Sequence, residues 1–160
     1  MKVPDSVVPL LQKVTSQRAC EIEFWRYLKE EDFLDSLFQL SDELMLSEIE
    51  ESSLPEGYFL VAYIFNWETN CQFSDWYAIE NKRDEMEKII LCYREVGLYS
   101  EAAALTKAVK AWEVSQRDEA AVSLAYKSVS NKYSDEDVRF EYLADFFSRY
   151  SDSCFYEHSC

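Results

Sequence analysis

A chain of 160 residues that is 48 % hydrophobic and 16 % aromatic can bury a sizeable core and is not a disordered tail. With two glycines and three prolines it is poor in turn residues, which disfavours β-sandwiches and glycine-rich nucleotide folds and suits helices joined by short loops. Its net charge of −15 disfavours binding to nucleic acid or to anionic membranes and favours basic partners.

The charge is not spread evenly. Residues 30–81 contain no Lys or Arg and carry 13 acids: Glu30, Glu31, Asp32, Asp35, Asp42, Glu43, Glu48, Glu50, Glu51, Glu56, Glu68, Asp75 and Glu80. Cysteines 20, 71, 92, 154 and 160 are odd in number and form no CxxC pair, as expected of free thiols in a reducing compartment. No apolar run approaches the roughly 18 residues of a membrane span, and MKVPDSVVPLLQKV lacks the pattern of a signal peptide. The expectation is a cytoplasmic protein of one all-α domain, residues 1–160, with six to eight helices.

In chain order, residues 5–29 read as helix, with Asp5 as N-cap, Pro9 in the first turn and a break near Ser16. Residues 30–51 have a helical period. Phe33, Leu34, Leu37, Phe38, Leu40, Leu44, Met45 and Ile49 share one half of the wheel, and Asp32, Asp35, Gln39, Asp42, Glu43 and Glu50 share the other. Leu46 and Glu48 fall on the wrong sides. Ser53 with Glu56 forms an S-x-x-E capping box, with Pro55 in the first turn.

The following GYFLVAYIFNWETN is apolar almost all round. It fits a buried strand or a buried helix, and helix is the better reading because no partner strand is visible. Residues 75–80 predict a short helical turn. Residues 82–96 predict a helix with Met86, Ile89, Ile90, Tyr93 and Val96 inward and Gly97 just past its end. Ser100 is placed to cap a helix from 101 to 114 with Leu105, Ala108, Val109 and Trp112 inward. Another helix is expected over 118–131. Ser134 with Asp137 opens the last one, with Phe140, Leu143, Phe147 and Tyr150 on one stripe. The tail SDSCFYEHSC reads as irregular.

Signals for chemistry are sparse. There is one histidine, His158, and no GxSxG, HExxH, Walker A or GxGxxG pattern, so no catalytic and no cofactor-binding residue is assigned. Cys154, His158 and Cys160 lie close in sequence but not at a zinc-knuckle spacing, and no metal site is assigned. Trp25, Trp67, Trp76 and Trp112 read as core. That leaves the acids. Like charges three or four apart weaken a helix by a few tenths of a kcal/mol per pair, and side chains four apart sit about 6 Å apart along the axis, near the spacing of phosphates on one nucleic-acid strand. A solvated face is the alternative reading.

The stretch 67–105, WETNCQFSDWYAIENKRDEMEKIILCYREVGLYSEAAAL, resembles a bacterial domain family of unknown function. Its hallmark is a helix ending Glu-x-Asn-Gly-Gly-Phe, followed by an aromatic turn and then an Ala-rich helix. Glu68, Asn70 and Phe73 match the motif, Trp76 and Tyr77 the aromatic pair, and Gly97 and Ala102 to Ala104 the later part. SDEDVRFEYLADFFSRY resembles the acidic closing helix. Cys71 and Gln72 replace the two glycines.

One family member is a dimeric, acidic, all-helical DNA mimic. The resemblance therefore implies a non-enzymatic, cofactor-free binding module that occupies the basic surface of a DNA-binding protein, with a homodimer as its state. The expected partner-binding residues are Glu31, Asp32, Asp35, Asp42, Glu43, Glu50 and Glu51. An immunity protein that neutralises a basic nuclease is the runner-up, and an enzyme with a carboxylate-lined cleft is the alternative of another class.

Overall fold

The computed structural model describes residues 1–14, 25 and 33–158. Expectations that fall elsewhere lie outside these: most of a helix over 5–29, the break near Ser16, Glu30, Glu31 and Asp32, and Cys20 and Cys160. The fold is all-α. Among the described residues the helices are α1 (Val8–Val14), α2 (Phe33–Leu46), α3 (Glu56–Ser74), α4 (Met86–Glu95), α5 (Tyr99–Val114), α6 (Glu119–Lys127), α7 (Glu136–Arg149) and α8 (Ser151–Phe155), with a single turn at Ala78–Asn81. None is long and apolar enough to cross a membrane. The contacts gather in two units, one of residues 1–66 and 142–160, the other of residues 67–141.

In the first unit the period of α2 puts Phe33, Leu37 and Leu40 in the core and leaves Asp35 and Asp42 exposed. Leu46, a misfit on the wheel, is 83 % exposed. The chain leaves the helix after it, so Ser47 to Glu50 are non-helical. From Tyr58 to Phe65, α3 is buried on every side except at Phe59, as a helix without a polar face must be. Each such large side chain contributes about 1.5–3 kcal/mol by leaving water. Gly57 is what lets α3 meet α8, since a Cβ there would overlap Cys154. Trp25 stacks on Phe155 with ring centroids 3.6 Å apart and donates to the Tyr58 hydroxyl, which donates to the Phe155 carbonyl.

Several local expectations for this unit are corrected. The Ser53 hydroxyl bonds the Glu50 carbonyl at 2.6 Å from within a 3-10 turn, so α3 starts at Glu56 without the capping box. Asp5 pairs with Lys2 instead of capping, and α1 begins at Val8. The tail is not irregular: Ser151–Phe155 is helical, and Lys2 and Glu157 exchange two backbone hydrogen bonds in an isolated bridge. Buried Cys154, Phe155 and Tyr156 order it, a local apolar run too short to show a period.

In the second unit Met86, Ile89, Tyr93 and Val96 are buried as expected, while Ile90 is half-buried. Gly97, at φ 86°, closes α4 in a Schellman motif, with Gly97 N–H on Arg94 O and Leu98 N–H on Tyr93 O. That geometry starts α5 at Tyr99, so Ser100 lies inside the helix and its hydroxyl goes to Asn131 rather than to a cap. Asp118 caps α6 through Ala120 N–H and Ala121 N–H, and α6 stops at Lys127, short of 131. Asp135, not Ser134, accepts from Val138 N–H at the start of α7. The later part of α7 belongs to the first unit, where Leu143 and Phe147 are buried, but Tyr150, just past the helix end, is 47 % exposed.

Candidate functional site

The acids expected to bind a partner fall into two physical classes. Asp35, Asp42, Glu48 and Glu50 are exposed, and among the described residues none of them meets a cation. Lys13 reaches Glu43 at 3.2 Å across exposed surface, a pair that contributes little. Glu51 accepts a hydrogen bond from Tyr63 at 2.7 Å and stays exposed. Of these acids Glu51 lines a groove of about 230 Å³ whose apolar lining includes Leu44, Met45, Ile49, Leu54 and Phe59. Glu31 and Asp32 lie outside the described residues.

Further along the same acidic stretch two of the charges, Glu68 and Glu80, are answered by arginines. Glu80 accepts from Trp112 Nε1 at 3.0 Å and from Arg117 Nη2 at 2.9 Å, with Arg83 at 3.9 Å. The Trp112 bond, then the two guanidiniums, hold its carboxyl below the usual range. Glu68 is 2 % exposed and takes a two-pronged bond from Arg139, Nε on Oε1 at 2.6 Å and Nη2 on Oε2 at 2.8 Å. The Tyr93 hydroxyl donates to the same Oε1. Arg139 also donates to the Tyr133 carbonyl at 2.8 Å and, at the limit of bonding distance, to that of Ser134. Burial pulls the Arg139 pKa down, but the Glu68 bond and charge outweigh it and the net direction is up.

The family-motif residues therefore part ways. Glu68 is the buried half of an ion pair. Asn70 is half-buried, and Phe73 is 85 % exposed at the end of α3. Cys71 and Gln72, set against two glycines in the resemblance, are both helical, and the left-handed residue in this stretch is Asp75 at φ 48°. Two helical positions have no need of glycine. Of the tryptophans, Trp25, Trp67 and Trp112 are core as expected, while Trp76 is half-buried.

Sequence reasoning missed a second buried acid. Glu101 is 3 % exposed, and its Oε2 accepts from the Tyr126 hydroxyl and from Asn131 Nδ2, each at 2.6 Å. Asn131 is held in turn by Ser100 and by Tyr133 N–H. Burial raises the Glu101 pKa, against Arg139 and the two hydrogen bonds, which lower it. Glu68 and Glu101 both line a cavity of about 490 Å³ in the second unit. Both oxygens of Glu68 are committed to Arg139. Cys71 also lines the cavity, and burial followed by the Glu68 charge pushes its thiol far above the usual range, away from nucleophilic reactivity. Among the described residues no group of three or more His, Cys, Asp or Glu is placed to hold a metal ion.

Compared with family models, curated proteins and solved structures, the chain matches none.

Proposed function

We propose that this chain is an acidic protein-binding module that docks on the basic surface of a DNA-binding regulator or nuclease, in the manner of a DNA mimic. The observation that carries this reading is that Asp35, Asp42, Glu48, Glu50 and Glu51 are exposed and form no ion pair among the described residues, while Lys13 reaches only neighbouring Glu43. Glu68 and Glu80, by contrast, have their own arginines. An acidic face left open attracts a basic partner from a distance and speeds encounter. Exposed Leu46, and the apolar groove that Glu51 lines, supply the contact area that charge alone does not.

The test is a pull-down from the native host with the intact chain and two charge-reversed variants. One reverses Asp35, Asp42, Glu48 and Glu50 to lysine. The other reverses Asp84, Glu87 and Glu95, exposed acids of the second unit. A basic protein retained by the wild type and by the second variant, lost by the first, and released by moderate salt supports the reading. Equal retention by both variants overturns it.

A further inference from the structure

The cavity of the second unit has a composition of its own. At about 490 Å³ it falls within the range of small-molecule sites, roughly 300–1,000 Å³. Its one cation is Arg139, and that charge is already taken by both oxygens of Glu68 and by backbone carbonyls. Asp75, Glu101 and Glu119 line the same space, and none of them forms an ion pair among the described residues. The cavity is therefore anionic, and an anionic ligand would meet repulsion there.

Glu101 adds direction to this field. It is 97 % withdrawn from solvent, and two hydrogen bonds fix its carboxylate, both to Oε2. Among the described residues no hydrogen bond reaches Oε1, yet Glu101 lines the cavity and leaves no fully enclosed polar atom without a partner. The free oxygen is thus not fully enclosed, on a residue that lines the cavity. Beside it Trp76 and Tyr126 form a tilted ring pair, centroids 5.1 Å apart at 60°, and both line the space with Trp67. Aromatic faces next to a fixed carboxylate attract organic cations, which gain from the ring quadrupole and from the charge together.

We propose that this cavity binds a small organic cation of the alkylammonium or guanidinium class, with an N–H donating to Glu101 Oε1 and the carbon body lying against Trp76 and Tyr126. The site is separate from the acidic row of the first unit and does not depend on what that row binds. A desolvated carboxylate of this kind discriminates by charge, because a neutral alcohol of equal size offers Oε1 a hydrogen bond without a counter-charge and a carboxylate ligand is repelled.

The experiment titrates the intact chain with agmatine and cadaverine, and with 1-pentanol and pentanoate as neutral and anionic controls. Binding is followed by calorimetry and indole emission. The expected result is saturable one-to-one binding of at least one of the two amines and none of either control. Glu101→Gln keeps an oxygen for Tyr126 and Asn131 but removes the charge, and should weaken binding by about tenfold or more. Ser123→Phe, which fills the cavity from α6, should abolish it and serves as the independent variant if Glu101→Gln folds poorly. Asp35→Asn with Asp42→Asn, in the other unit, should leave affinity unchanged.

No saturable binding of either amine at millimolar concentration overturns the proposal. So does equal loss of binding in the Asp35/Asp42 variant, which would mean cations condensing on an acidic surface. Binding of an arginine-bearing peptide without binding of free amines also overturns it, by assigning the cavity to a partner's side chain.

Discussion

Arg139 and Glu68 are 71 positions apart in sequence and meet edge to edge, with two parallel N–H to oxygen bonds inside the second unit. Removing either partner leaves a buried charge without its counterion, which typically costs about 3–5 kcal/mol. Replacing both with methionine removes both charges and should cost less than the sum of the single changes. Urea denaturation of Glu68→Met, Arg139→Met and the double variant measures this. An additive double variant would show that the two side chains act independently.

Gly57 faces Cys154 so closely that no side chain fits between them. Gly57→Ala must push α8 away or bend α3, an overpacking that should cost about 1–3 kcal/mol and lower Tm by several degrees. The companion change Cys154→Gly should not rescue it, because the Cys154 backbone carbonyl still overlaps the added carbon. Thermal melts of the three variants decide it.

Glu101 sets a pH dependence. Burial places its folded pKa above the unfolded value of about 4.3. The folded chain then binds more protons than the unfolded one between those two values. Its contribution to stability is full below the lower value and is lost as pH rises through the higher. Glu101→Gln has no such titration. The stability difference, variant minus wild type, should therefore grow with pH above about 4 and level off above the folded pKa. Denaturation midpoints of both proteins across pH 4 to 8 provide the measurement, and a constant difference contradicts it.

The three described thiols should be inert. Burial pushes Cys154 up to about 11 and Cys71 higher still, and Cys92 is 1 % exposed. At pH 8 iodoacetamide should leave Cys71, Cys92 and Cys154 unmodified in the native chain and alkylate all three in denaturant. Peptide mass mapping gives the answer site by site. Cys71 is half-buried and lines the cavity, so its inertness rests on protonation, and rapid native alkylation there would refute it.

The helices were readable in the sequence where apolar residues recur every three or four positions, as in α2 and α4, because burial of one stripe dominates their energetics. Gly97 was readable because few residues other than glycine adopt φ 86° at a helix end. Caps were less so. Ser53, Ser100 and Ser134 each stand at a plausible capping position, but Ser53 bonds Glu50, Ser100 bonds Asn131, and Asp135 does the work expected of Ser134. A hydroxyl has several acceptors within reach, and the fold chooses among them.

The exposed acids of the candidate surface were visible as a run without bases. That Glu68 and Glu80 would be claimed by Arg139 and Arg117 was not, since both pairings span the chain. Nothing in EAAALTKAV, Glu101 to Val109, marks its first residue as buried, because the partners that make burial tolerable, Tyr126 and Asn131, follow 25 and 30 residues later.

The four tryptophans give the chain a built-in optical division. Trp25 belongs to the first unit, where it is packed on Phe155, and Trp67, Trp76 and Trp112 belong to the second. Their surroundings differ: a stacked ring for Trp25, a cavity wall for Trp76 and a carboxylate bonded to the indole nitrogen of Trp112. Trp25→Phe removes the first unit's one tryptophan, so the indole emission that remains on melting reports the second unit alone.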